Sequence, residues 1–221
     1  MKLIFLIYFS IISLCFGKTY TLPEQSASYT VTINASIEDV WKYNSDDYHA
    51  KQWSIYFKEI IPCPIAECHW NKELEPSDLG YTRRPIRYTS EEKIWWDETT
   101  ILIQKTPQKY YKQILSYNFH TPFSVLNFNE KAEYLVEQIY EKVSTSQTRL
   151  TFKAGFIKKN ELKQSTAFYE YFVWELIFKW ISKDIIEMTF EKNLINIKSA
   201  IEMGEKYKRK YPYEPNPEAF Y

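Results

Sequence analysis

The chain has 221 residues, room for one sizeable core, and its 28 Lys and Arg balance 28 Asp and Glu, so no global field draws it to nucleic acid or to anionic lipid. Aromatic residues are frequent, with 19 Tyr, 14 Phe and 7 Trp; each brings a large rigid apolar area that suits a packed core and a cavity wall equally well. Glycine, at 4 residues, is too scarce to build phosphate-cradling loops.

Met1 and Lys2, the apolar run 3–16 and then Gly17-Lys18 follow the three-part plan of a secretory signal peptide. Cleavage is expected after Gly17, which places the mature protein in the secretory lumen or outside the cell. The run is short for a membrane anchor, and bulky Leu14 stands against a lipoprotein reading centred on Cys15. Cleavage leaves Cys63 and Cys68 in an oxidising compartment, where a disulfide closing a short loop is the favoured reading. Two free thiols are an alternative. So is a metal held by Cys63, Cys68 and His69, but no second pair lies at zinc-site spacing, and no metal is expected.

Along the mature chain, residues 29–35 alternate cleanly, with Tyr29, Val31, Ile33 and Ala35 on one face, and predict a half-buried strand. Asn34 points outward and heads an Asn34-Ala35-Ser36 sequon, a candidate glycosylation site in a eukaryotic host. Ser36 stands where an N-cap belongs, with Glu38 and Asp39 in the first turn of a short helix carrying Val40 and Trp41. A second short helix is predicted over 46–51, and extended structure over 53–61 until Pro62-Cys63-Pro64 interrupts it.

Strands follow over 80–88, 93–104, 109–119, 130–143 and 148–156, separated by turn signals. In the last, Leu150, Phe152, Ala154 and Phe156 form the inner face; in 109–119 the expected inner set is Tyr111, Leu115, Tyr117 and Phe119. Asp97 and Glu98 are adjacent, so they point to opposite faces and cannot act as a carboxylate pair; Arg83 and Arg84 diverge likewise. From residue 168 the period becomes helical. The stretch 168–181 is apolar nearly all round and reads either as a buried helix start or as a lid that touches a membrane transiently. Residues 183–207 form an amphipathic helix on the order of 35 Å long, with Phe190, Leu194 and Ile197 on its apolar face. The proline-spaced, tyrosine-rich residues 208–221 are expected as a flexible tail, leaving one domain over 18–207.

The opening Tyr29 to Trp41, YTVTINASIEDVW, resembles the first strand and helix entry of the polyketide cyclase/START-like superfamily, the SRPBCC or Bet v 1-like group. Trp53-Ser54, the turn Gly80-Tyr81-Thr82-Arg83-Arg84, Trp96-Asp97-Glu98, Thr148-Arg149-Leu150-Thr151-Phe152 and the closing helix extend that resemblance in order along the chain. It implies an α+β helix-grip fold, a curved antiparallel sheet gripping a long C-terminal helix, with two short helices after the first strand. It also implies a cavity for a lipid or other apolar molecule, to which Tyr117, Phe119, Phe152, Phe156, Phe190, Leu194 and Ile197 are assigned. Those aromatic residues could instead simply fill a core. Glu98 and Arg83 are the candidate polar groups, Glu98 as a lone acid or base and Arg83 for an anionic head group, each weighed against an ordinary salt bridge.

No catalytic set is shared across the superfamily, so no catalytic residue is carried over and no cofactor is expected. Three functions follow: a carrier of an apolar ligand, a cyclase or hydratase acting on a polyketide-like substrate, or a protein-binding module with a filled core. The carrier is the first of these, and a monomer is expected.

Overall fold

A computed structural model describes residues 20–23, 26–62, 74–88, 93–120, 132–158 and 182–213. The expected leader, Cys63 and Cys68, the apolar stretch 168–181 and the end of the tail lie outside the described residues. The elements run β1 (Ala27–Ile33), α1 (Ile37–Ser45), α2 (Asp47–Trp53), β2 (Glu59–Pro62), β3 (Thr82–Tyr88), β4 (Lys93–Lys105), β5 (Lys109–His120), β6 (Ala132–Ser144), β7 (Gln147–Lys158) and α3 (Ser182–Met203). All pair antiparallel in one 7-stranded sheet of order β1-β7-β6-β5-β4-β3-β2.

Because β1 and β2 occupy opposite edges of the sheet, the chain between them must cross its full width, and α1 and α2 make that crossing. Capping fixes where each begins. The Ser36 hydroxyl accepts from the Asp39 amide at 3.1 Å, and Asp46, which ends α1, caps α2 by accepting from the Tyr48 and His49 amides. Caps of this kind contribute about 1 kcal/mol each.

The concave face carries the core. Leu150, Phe152 and Ala154 of β7 are buried there, as their alternation predicts, together with Ile33, Val40 and Trp41 from β1 and α1. Strand β5 departs from expectation. Its Lys112, Ile114 and Ser116 register with Gln138, Val136 and Tyr134 of β6 on the concave side, so Tyr111, Leu115 and Tyr117 turn to the convex side. The expected parity fails because Ile114 and Leu115 are both apolar and alternation does not choose between them. Phe119 does reach the concave side. An extra β5 residue opposes β4 between Tyr117 and His120, and Asn118 takes φ 54° there, so the bulge reverses the parity.

The convex side of β5 to β7 is also covered, by the segment Tyr20 to Pro23. Gln113 Nε2 donates to the Tyr20 carbonyl at 3.4 Å, and Pro23 crosses Gly155 so closely that a Cβ there would meet the ring at 2.9 Å.

The start of the expected tail is docked. Asn196, fully buried on α3, donates through Nδ2 to the carbonyls of Trp53 and Tyr211, both at 2.9 Å, and accepts from the Tyr211 amide at 2.9 Å. The Arg209 guanidinium donates to the Lys51 and Gln52 carbonyls at the end of α2, where cationic groups favour the helix dipole. The Tyr213 hydroxyl takes the Tyr88 amide and returns a bond to its carbonyl, each at 2.9 Å. Asn196→Leu keeps the bulk but strands three backbone groups, two of them carbonyls; urea unfolding is expected to show a loss of roughly 2–4 kcal/mol. A loss under about 0.5 kcal/mol, the size of a neutral surface change, would mean that the clamp is not holding the tail.

Candidate functional site: a cavity under the N-terminal half of the long helix

Helix α3 is most deeply buried over its second half. Leu194 and Ile197 are fully buried against Ile33, Val40 and Leu150. Over its first half the helix stands off, and a cavity of about 300 Å³ lies beneath Ile185, Ile186, Thr189, Phe190 and Asn193. Those positions recur at helical spacing on a single face. The floor is the concave sheet, with Trp96 from β4, Ile114 and Phe119 from β5, Tyr134 and Val136 from β6, and Phe152 and Phe156 from β7. Trp53, Tyr56 and Phe57, where the chain leaves α2, close one side.

Aromatic contacts hold these walls. Phe152 meets Phe190 edge to face at 5.6 Å between centroids, and Trp53 meets Phe152 at 6.2 Å. Tyr134 and Phe156 lie 4.9 Å apart, and Phe57 and Trp96 5.7 Å. Such pairs add about 0.5–1.5 kcal/mol each beyond their buried area, which favours a shaped wall over a collapsed one.

Of the residues the sequence assigns to a cavity, Phe119, Phe152, Phe156 and Phe190 line it, as do Arg83 and Glu98. Tyr117 does not; it faces the convex side, its hydroxyl 3.0 Å from Thr99 Oγ1. Leu194 and Ile197 belong to the packed core instead, because one and two turns beyond Phe190 the helix meets Trp41 and Tyr140. Sequence reasoning missed Trp96 and Tyr134, which alternation about Glu98 and along β6 could have found. It also missed Tyr56 and Phe57, which sit in a segment with no periodicity. Asn34 lies on an exposed bend, its amide donating to Glu202 at 2.8 Å and its Oδ1 accepting from Gln147 Nε2 at 2.9 Å.

The charged lining gathers at one end. Arg83 donates from Nε to Glu98 at 2.9 Å and from Nη1 to Asp47 at 2.7 Å, and the Tyr81 hydroxyl donates to the other Asp47 oxygen. Trp96 Nε1 donates to the free Glu98 oxygen at 2.8 Å. Arg83 and Glu98 are directly opposed on β3 and β4, so the expected divergence of each pair of neighbours holds. Arg84 and Asp97 form a second ion pair at 2.8 Å on the other face of the sheet. Elsewhere in the lining, Gln138 accepts from Asn44 and Tyr140, and Asn193 accepts from the Ile55 amide at 2.9 Å.

Behind the Arg83 wall lies Lys112, buried on the same face of β5, its ammonium donating to the Pro76 carbonyl at 3.2 Å. Burial, and then the nearby Arg83 charge, pull this amine down to about 7. Lys112 is not part of the cavity lining. Among the described residues no group of His, Cys, Asp and Glu is placed to hold a metal, and no helix is long and apolar enough to cross a membrane.

No family model and no curated protein matches the sequence. Solved structures do share its architecture. One is the di-domain ARO/CYC protein BexL from the BE-7585A biosynthetic pathway, with a TM-score of 0.54 at 12% identity over 82% of this chain and 48% of that one. Norcoclaurine synthase from Thalictrum flavum superposes with a TM-score of 0.50 at 10% identity over 85% of this chain and 100% of the other. A Staphylococcus aureus protein of unknown function gives 0.50 at 13% identity over 82% and 97%. The chain has the helix-grip fold, an architecture it shares with these structures. At these identities the likeness speaks for architecture, and in the helix-grip arrangement the space between sheet and helix is where this chain keeps its cavity.

Lys112 gives the helix-grip core a pH signature whose sign can be worked out. In the unfolded chain the amine holds its proton to about 10.5, in the folded chain only to about 7. Between those values the unfolded state binds more protons, so stability rises with pH through that window. In urea unfolding, the wild type is expected to gain stability relative to Lys112→Met between pH 6.5 and about 9.5. A difference that stays constant across that range would place the Lys112 amine in contact with water.

Proposed function

We propose that the mature protein is exported and holds an apolar small molecule in the cavity between sheet and helix, as a binder or carrier. One observation carries this reading: an apolar chamber of about 300 Å³ with aromatic walls, beside a core in which Ile33, Val40, Leu150, Leu194 and Ile197 are fully buried. Ligand sites are typically concave, largely apolar and fitted with a few convergent polar groups. That description matches a chamber whose charged lining is the Arg83 and Glu98 pair. Burying an apolar ligand there supplies affinity in proportion to the area removed from water. Export rests on the basic, apolar and small-residue plan of residues 1–18.

A catalytic reading in the manner of the cyclases has less behind it. Glu98 is held by Arg83 and Trp96, and Lys112, an amine poised near neutrality, stands outside the lining. Neither is set against the cavity as a free acid or base.

Native mass spectrometry on protein made in a eukaryotic secretory host tests both parts. The mature mass is expected to begin at Lys18 and to carry an extractable apolar adduct, or to take one up from a mixed panel of lipids and sterols. Val136→Trp places aromatic bulk on the cavity floor and should weaken uptake at least about tenfold, with an unchanged circular dichroism spectrum. Uptake by that variant equal to the wild type's would put the ligand elsewhere, and a mass still containing residues 1–17 would remove export.

A further inference from the structure

Three of the polar groups that line the cavity, Arg83, Glu98 and Tyr134, fall on one line. Register partners across the sheet run Arg83, Glu98, Ser116, Tyr134 and Phe156, one residue from each of β3 to β7, all on the concave face. Neighbouring strands lie about 4.8 Å apart, so Glu98 and Tyr134 flank Ser116 with Cα atoms about 10 Å from one another. Serine is the short member of the row. Between the Glu98 carboxylate and the Tyr134 phenol, which both line the chamber, the row therefore dips into a notch whose base, Ser116, lies beneath the lining.

Hydrogen-bond accounting places two unpartnered hydroxyls at this notch. Glu98 is fixed, one oxygen held by Arg83 at 2.9 Å and the other by Trp96 at 2.8 Å. The Tyr134 hydroxyl makes no hydrogen bond among the described residues, and it keeps its proton because burial, and then the Glu98 charge, raise it above its ordinary value. Ser116, at 1% exposure, also has a hydroxyl with no partner. Of the remaining polar groups around the chamber, Gln138, Asn193, Thr189, Tyr56 and Ser54 are bonded, while the Trp53 indole N–H, on the side wall, has no partner among the described residues. Unpaired hydroxyls at a buried site cost free energy unless something supplies their partners.

The donor and acceptor pattern selects the chemistry of that partner. Glu98 accepts only, while the Tyr134 hydroxyl can donate and accept. A ligand hydroxyl can donate to Glu98 while accepting from Tyr134. A carbonyl could do only the second. A carboxylate would face Glu98 across the notch, with Arg83 already committed to Glu98 and Asp47. Resting on the cavity reading above, we propose that the notch between Glu98 and Tyr134 over Ser116 is the polar anchor of the site, and that its ligand is a neutral, mainly apolar alcohol or phenol. The hydroxyl seats in the notch, and the hydrocarbon body lies under α3 against Phe152 and Phe190.

The test compares naphthol, methylnaphthalene and naphthoate of one substitution pattern by isothermal titration calorimetry, on protein freed of any resident apolar molecule. Naphthol is expected to bind at least about tenfold more tightly than methylnaphthalene, the size of one hydrogen bond to a charged group, and more tightly than naphthoate. Tyr134→Phe keeps the ring and breaks no bond of the native protein; Ser116→Val fills the notch with a residue that suits a strand. Either should bring naphthol down to the affinity of methylnaphthalene, with methylnaphthalene itself unmoved. Equal binding of naphthol and methylnaphthalene by the wild type would overturn the anchor while leaving the cavity reading intact. Tightest binding of naphthoate would reassign the anchor to Arg83 and an anion. Binding of none of the three would overturn the cavity reading as well.

Discussion

A straight helix cannot touch a twisted, curved sheet along its whole length, and where α3 makes contact decides everything else about this molecule. Leu194 and Ile197 press into the corner formed by β1, α1 and β7 and are fully buried there. Toward its N-terminus the same helix rides above the floor, and Phe190 bridges the two regimes by meeting Phe152 edge on. Core packing and cavity are thus two ends of one contact. Interiors pack at crystal-like density, so a void of about 300 Å³ persists only where rigid groups hold its walls apart. The Trp53, Phe152 and Phe190 ring contacts on one side, and Phe57 on Trp96 on the other, do so.

Charge is organised around the same geometry. Adjacent residues on a strand face opposite ways, so Arg83-Arg84 on β3 opposes Asp97-Glu98 on β4 to give one ion pair on each side of the sheet. The convex pair is the more enclosed: Asp97 is fully buried, accepts from Arg84 at 2.8 and 3.1 Å and from Asn118 at 2.7 Å, while Arg84 stacks 3.8 Å over Trp95. Desolvating such groups is costly, and only full pairing and hydrogen bonding offset it. The concave pair is held as firmly, and Asp47 from the first turn of α2 ties it to the helical crossing. Register across β3 and β4 is fixed by this arrangement, since a slip of one residue would leave one arginine and one carboxylate each without its directly opposed partner.

The fold was legible in the sequence because its signals are local. Alternation in β1 and β7, the Ser36 cap and the change of period before α3 each follow from a few neighbouring residues. The divergence of Asp97 from Glu98 is likewise a property of any strand. The site was legible only in part, and the failures have physical causes. β5 carries apolar residues on both faces, since its convex side is covered by a segment from the other end of the chain, and the bulge at Asn118 reverses its parity before Phe119. Leu194 and Ile197 share a stripe with Phe190, and no periodicity says how far along a helix the sheet begins to recede. The docking of Arg209, Tyr211 and Tyr213 is made by side chain to backbone bonds over long separations, invisible to composition. A proline-spaced segment reads as flexible until its partners are known.

The central claim is that the space beneath the first half of α3 is a preformed apolar chamber and not a packing defect that side chains close. A crystal structure of the purified protein under xenon pressure tests this most directly, because dry apolar cavities take up xenon without needing to recognise it. The expected result is xenon, or a resident apolar molecule, between Phe152 and Phe190 with the rings of Tyr134 and Trp96 in their present places. Phe190 and Ile186 rotated down onto Val136, with no density between helix and sheet, would contradict it.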